Sequence, residues 1–191
     1  MSGNNFHVHG PHDHELEHAA HHGGDASTNS IAVATAVIAT VGALFSYMGG
    51  ATQSNAGLYK NNAAIKKTEA SNQWNFYQSK SSKQNLAELG LQLTVGEVKD
   101  NFTKEALRYK TEKEDIKVKA EALEKESSDW DHQSDEQLHI HHRWAQATTV
   151  LQISIALAAI SLLTKQSWLK VGMYVVAGGG VLLGVAAWMH L

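Results

Sequence analysis

Histidine is the residue type whose number and spacing in this chain most plainly invite chemistry. Seven of the 12 histidines fall within the first 22 residues, where His7, His9, His12 and His14 are interleaved with Asp13, Glu15 and Glu17. Imidazole binds Zn, Ni or Cu, but glycine-rich surroundings impose no geometry, so modest affinity and poor selectivity are expected. The other reading of the same residues is a solvated tail whose histidines gain charge as pH falls through about 6.5.

A second group, His132, Glu136, His139 and His142, is spaced by four, three and three residues, which puts all four on one face of a helix. Glu136 and His139 also match the Glu-x-x-His spacing of carboxylate-bridged di-iron bundles. That site requires two such motifs and two further glutamates, so this match alone is weak evidence for it. The alternative is a set of interfacial side chains beside Trp144 that meet lipid phosphates.

Beyond histidine the chain is poor in reactive groups. There is no cysteine, which excludes thiolate metal sites and disulfides, and no Gly-rich phosphate loop or nucleophile elbow is present. Nothing points to an enzyme, and no bound organic cofactor is expected. The formal net charge of −3 supplies no basic excess for counterion release, so no nucleic acid is expected as a partner.

The elements that would position these residues are helices. The one proline is Pro11, and 14 of the 16 Lys and Arg lie between Lys60 and Arg143, leaving two apolar regions almost free of charge. Residues 31–50 carry no charge over 20 positions, which at about 1.5 Å per residue matches a hydrocarbon layer of roughly 30 Å. Residues 144–163 and 169–190 read as second and third spans around a turn at 164–168. Tyr47, Trp144, Trp168 and Trp188 mark span ends, where amphipathic rings favour the headgroup layer. The absence of Lys or Arg before Ile31 argues against a cleaved signal peptide.

The expected fold is therefore all-α: an integral membrane protein with three transmembrane helices and a long, coiled-coil-like helical hairpin between the first and second. A His-rich tail occupies 1–30 and the hairpin 51–143, with its turn near 89–96, where Gly90 and Gly96 bracket a β-branched stretch. On the returning arm Phe102, Tyr109, Ile116, Leu123 and Trp130 recur every seven residues, with Ala106, Ala120, Ser127 and Ser134 offset by four. The ascending arm offers Ala56, Ala63, Ala70 and Tyr77, flanked by Leu58 and Ile65, with Asn72, Gln73 and Gln78 along its rim. Within the spans, Gln146 and Gln152 are expected to face protein, and Gly180 and Gly184 have the spacing that lets helix backbones touch.

The run Ala70-Ser-Asn-Gln-Trp-Asn-Phe-Tyr-Gln-Ser-Lys-Ser-Ser-Lys-Gln84, the lead-in His139-Ile-His-His-Arg-Trp144 with the apolar run to Thr164, and the His-rich N-terminus resemble a bacterial family of small membrane proteins. That family is the domain of unknown function numbered 4337. The resemblance covers most of the chain and implies a bacterial, inner-membrane, three-span protein with an extra-membrane helical segment. It brings no activity, substrate or catalytic residue.

With three spans, Lys60, Lys66, Lys67 and Arg143 lie on the hairpin side, against Lys165 and Lys170 on the other. The positive-inside rule then favours a cytoplasmic hairpin and an N-terminus outside. The leading functional expectation is a structural or interaction protein. It would contact membrane lipids and form a homo-oligomer, or serve as an accessory or scaffold subunit of a larger membrane complex. The alternative is a metal-binding or pH-sensing membrane protein that uses the His clusters.

Overall fold

The structure, a computed structural model, describes residues 26–189. The tail ligands His7, His9, His12 and His14 lie outside the described residues. Within them the chain forms three α-helices and no strand: α1 Ala26–Leu93, α2 Glu97–Thr164 and α3 Ser167–Trp188. Each of the first two runs for 68 residues. Such lengths follow from a segment without proline, rich in Ala, Glu, Lys and Gln, that never forfeits a backbone donor. Threonine is accommodated in the apolar stretches because its hydroxyl bonds back to the preceding turn, as in Thr35 to Ile31 O at 2.8 Å and Thr148 to Trp144 O at 2.8 Å.

Helix α1 does not end at its first glycine of the 89–96 stretch. It passes through Gly90 and stops at Leu93, and the reversal occupies Thr94 to Gly96, where Gly96 takes φ +65°. A left-handed residue is sterically cheap only for glycine, so Gly96 makes the turn. Gly90 serves packing instead, because a Cβ there would sit 2.9 Å from the Phe102 ring and its bare backbone admits that ring. Glu97 and Asp100 lie in the first turn of α2, where carboxylates favour the helix N-terminus. The second reversal takes only Lys165 and Gln166. Lys165 adopts φ +53° and donates its amide to Ser161 O at 2.9 Å.

The helices are shared by two compact units: the described residues up to Thr52 together with those from His139 onward, and Gln53–Leu138. The first unit contains all three stretches that are long and apolar enough to cross a membrane. It is a three-helix packing centred on Leu151, fully buried, which meets Ile38 and Ala177. A second layer joins Ile31, Ala158 and Met173. Most other buried positions are small: Gly42, Gly49, Ala147, Ser154, Ser161, Gly180, Gly184 and Ala187. Large apolar side chains instead cover the outside, including Val37, Leu44, Ile153, Ile160, Val175 and Leu182. A core of small residues under an aliphatic exterior inverts the water-soluble pattern and is the arrangement that suits acyl chains.

The second unit is an antiparallel pair formed by the distal part of α1 and the proximal part of α2. Ala56, Ala63, Ala70 and Ala87 of α1 and Ala106, Ile116, Ala120, Ser127 and Ser134 of α2 are buried between them. Its exterior is dominated by charge. In each unit the inward positions of α1 recur every seven residues, Thr35, Gly42 and Gly49 in the first and Ala56, Ala63, Ala70 and Tyr77 in the second, and the two series count in the same register.

Candidate functional site

The seam of the hairpin unit is narrow where alanine lines it. Ala70 and Ala120 are 1% and 0% exposed. Close approach brings the Ser127 hydroxyl to donate to Ala63 O at 2.8 Å and the Ser134 hydroxyl to donate to Ala56 O at 2.8 Å. A helical carbonyl already bonded within its own helix keeps a second lone pair, so these bonds are added without breaking the ladder. Tyr59 and Trp130 stack nearby with centroids 5.5 Å apart. Of the seven-residue series on α2, Ile116 is buried, while Phe102, Tyr109, Leu123 and Trp130 are half-buried.

Ion pairs line the flanks: Lys60 with Asp131 at 2.5 Å, Lys67 with Glu124 at 3.5 Å, and Lys66 with Glu126 at 3.4 Å. The hydrogen bond to Asp131, then its charge, raises Lys60 above the ordinary lysine range, and the hydrogen bonds to Glu69 and Glu126 do the same for Lys66. Nearer the turn the seam becomes polar and aromatic. Lys80 points its ammonium at Glu112, 2.5 Å away, and lies 5.2 Å and 5.5 Å from the Phe76 and Tyr109 ring centroids. The hydrogen bond from Lys80 holds the Glu112 carboxyl below the usual carboxylate range.

One expectation for the ascending arm is corrected. Leu58 and Ile65 do not flank the seam; they are 56% and 48% exposed. Each lies one residue, or about 100° of helix, before a residue that is half-buried, Tyr59 and Lys66 respectively. Of the polar rim, Gln73 is half-buried, whereas Asn72 and Gln78 are exposed.

In the first unit Gly180 and Gly184 are both buried contact points. A Cβ on Gly180 would lie 2.7 Å from Leu151 Cδ2, and one on Gly184 would clash with Cε2 and Cζ at the edge of the Phe45 ring. Their neighbours Gly178 and Gly179 face open space, so the triplet is not one functional unit. Gln146 and Gln152 do not face the interior of this unit: both are exposed. The inward face of α2 is taken by Ala147, Leu151, Ser154, Ala158 and Ser161, and Gln152 sits a single residue beyond Leu151. Interhelical bonding falls to serine instead, with the buried Ser154 hydroxyl donating to Met173 O at 2.8 Å. Trp144 is buried as well, packed on Phe45 at 5.2 Å, while Tyr47, Trp168 and Trp188 are exposed.

The structure singles out a histidine that spacing passed over. His141 Nδ1–H donates to Gly49 O at 2.8 Å, and both residues continue the seven-residue series of Ser127 and Ser134 on α2 and of Ala63 and Ala56 on α1. That continuation was present in the sequence. His132, His139 and His142 are exposed, as is Glu136. His132 Nδ1 lies 3.6 Å from Glu136 Oε1, and among the described residues no three His, Asp or Glu side chains gather closely enough to hold a metal ion.

Two outward surfaces remain. On α2 of the first unit Ala145, Thr149, Gln152 and Ala156 form an exposed stripe at helical spacing, and the Gln152 carboxamide has no hydrogen bond to any described residue. Around the turn of the hairpin unit Leu86, Leu89, Leu93, Val95 and Val98 are all exposed, Leu93 at 75% and Val95 at 85%.

Among the described residues these features define an all-α fold with three helices long and apolar enough to cross a membrane. The chain belongs to the family described as a domain of unknown function (DUF4337), whose profile matches residues 27–190. No curated protein and no solved structure shows significant similarity to it.

Proposed function

We propose that the chain is a multi-pass membrane protein of the structural or interaction type. It associates with further copies of itself, or serves as an accessory or scaffold subunit of a larger membrane complex. The observation that carries this reading is Gln152, exposed near the middle of the span 144–163. A carboxamide facing acyl chains without a partner is costly, and an interhelical hydrogen bond relieves that cost, contributing about 0.6–2 kcal/mol. Ala145, Thr149 and Ala156 around it leave room for a helix to approach closely, and the aliphatic cluster at the hairpin turn offers a second contact surface.

The natural absence of cysteine makes the test direct. Gln152→Cys and Ala156→Cys, oxidised in native membranes, should give a covalent adduct with a second copy or with another polypeptide, whereas Val37→Cys should not. Mass measurement in mild detergent that found only monomer, with nothing co-purified and no adduct, would sink the reading.

The membrane is read as a bacterial cell membrane with the hairpin in the cytoplasm. A thiol label reaching Ser81→Cys only from outside overturns that orientation. A second reading, metal or pH sensing, draws on the tail histidines and on the His132–Glu136 pair, which supplies only two adjacent ligands. Calorimetry with Zn, Ni and Cu tests it, since binding must weaken when His132 and His139 become alanine together with the tail histidines.

A further inference from the structure

One face of the hairpin unit carries a groove of about 450 Å³ between its two helices. Lys60 and Lys67, seven residues apart, form its α1 wall, and Glu124 and Asp131, also seven apart, form its α2 wall. Lys60 pairs across the groove with Asp131 and Lys67 with Glu124, yet these side chains stay 41–68% exposed. An ammonium offers several donors and a carboxylate several lone pairs, so an exposed pair can bind again. Lys60 also lies in the field of Asp135, one turn beyond Asp131. The groove is therefore bipolar, basic along α1 and acidic along α2.

Beside these walls the helices are small-surfaced. Gly57, Ala64 and Ser71 recur every seven residues on α1, and with Ser128 on α2 they are all exposed. A Cβ at Gly57 would meet nothing within 4 Å, so no contact inside one copy explains a residue that weakens a helix interior relative to alanine.

We propose that this groove docks the same groove of a second copy, with the two hairpins parallel about a two-fold axis that runs along them. Such an axis makes the interface self-complementary: α1 of each copy faces α2 of the other, and Lys60 and Lys67 meet Asp131 and Glu124 of the second copy. A two-fold axis across the hairpins sets lysine over lysine and acid over acid instead, which like-charge repulsion disfavours. Gly57, Ala64, Ser71 and Ser128 let the facing backbones approach closely. The inference rests on the self-association reading above and deepens it, on a surface separate from the Gln152 stripe.

The test co-expresses two differently tagged full-length chains, extracts them in mild detergent and measures how much of one the other retains. Lys60→Glu with Lys67→Glu makes both walls acidic, and Glu124→Lys with Asp131→Lys makes both basic. Each reversed chain should retain its own kind about ten-fold less than the natural chain does, and acidic and basic chains together should recover the natural level. Both variants lose the ion pairs inside one copy, so only contact between copies explains the recovery. Should reversal unfold the hairpin by circular dichroism, Gly57→Leu gives the same readout, cutting retention with helix content intact. A mixture that retains no more than either reversed chain alone overturns the proposal. Natural chains that give the Gln152→Cys adduct while reversal leaves retention unchanged overturn this groove and leave self-association standing; natural chains that never retain one another overturn both.

Discussion

The two units of this chain have nearly the same interior and opposite exteriors. Both bury Ala, Gly and Ser at seven-residue intervals, and both join helices by side-chain bonds to a neighbouring helix's carbonyl: Ser127 and Ser134 in the hairpin unit, His141 and Ser154 in the other. Outside, the hairpin unit carries Lys60, Lys67, Glu124 and Asp131 in exposed ion pairs, whereas the described residues of the first unit contain no Asp or Glu. A small-residue seam therefore says how closely two helices approach and nothing about the solvent around them. The solvent is written on the outward positions, which water or acyl chains must wet.

The comparison is broken most forcefully by filling the seams. Gly184→Leu forces a branched side chain into the Phe45 ring, and Ala70→Leu does the same against Ala120; each should destabilise its unit by about 1–3 kcal/mol or more, as overpacking does. Gly179→Ala, which meets open space, should leave the melting temperature in detergent unchanged or slightly raised. If Gly179→Ala cost as much as Gly184→Leu, the assignment of inward and outward glycines would be wrong.

Removing the bonds between helices should have a smaller effect. Ser127→Ala, Ser134→Ala and His141→Ala should each cost about 0.5–1.5 kcal/mol, read as faster hydrogen exchange of nearby seam amides. His139→Ala and His142→Ala, both exposed, should change nothing measurable.

Acid sharpens the contrast between exteriors. Glu112 is held below the usual carboxylate range by Lys80, so its contribution is complete above the unfolded-state pKa and disappears as pH falls through the folded one. Hairpin amides should lose protection as pH drops below about 4.3, the ordinary glutamate value, and Lys80→Met should flatten that profile. Lys60 and Lys66 have the opposite sign: their raised values mean that stability is lost as pH rises past the ordinary lysine range. The smallest effect is that of salt. Exposed pairs such as Lys60–Asp131 are screened, so 1 M NaCl should loosen the hairpin unit slightly and leave amides of the first unit unaffected.

Much of this architecture is legible in the chain itself. Charge segregation marks three apolar stretches, and the recurrence of Phe102, Tyr109, Ile116, Leu123 and Trp130 with Ala106, Ala120, Ser127 and Ser134 identifies the inward face of α2, because both signals are local and periodic. The same periodicity, continued beyond Ser134 and Ala56, reaches His141 and Gly49. Larger side chains mislead where size is taken for burial. Leu58 and Ile65 look like contact residues, yet Tyr59 and Lys66 beside them are the half-buried positions.

What the sequence determined by itself was the class of each element and the seven-residue register of the seams, since propensity and hydrophobic period depend on neighbours a few positions apart. Which glycine of Gly178-Gly179-Gly180 touches another helix, whether Gly90 breaks α1 or admits the Phe102 ring, and how Lys60 and Asp131 come to border one groove were decided only by tertiary structure. Each of those depends on the azimuth at which one helix meets another, and a rotation of about 100° per residue turns a contact into an exposed side chain.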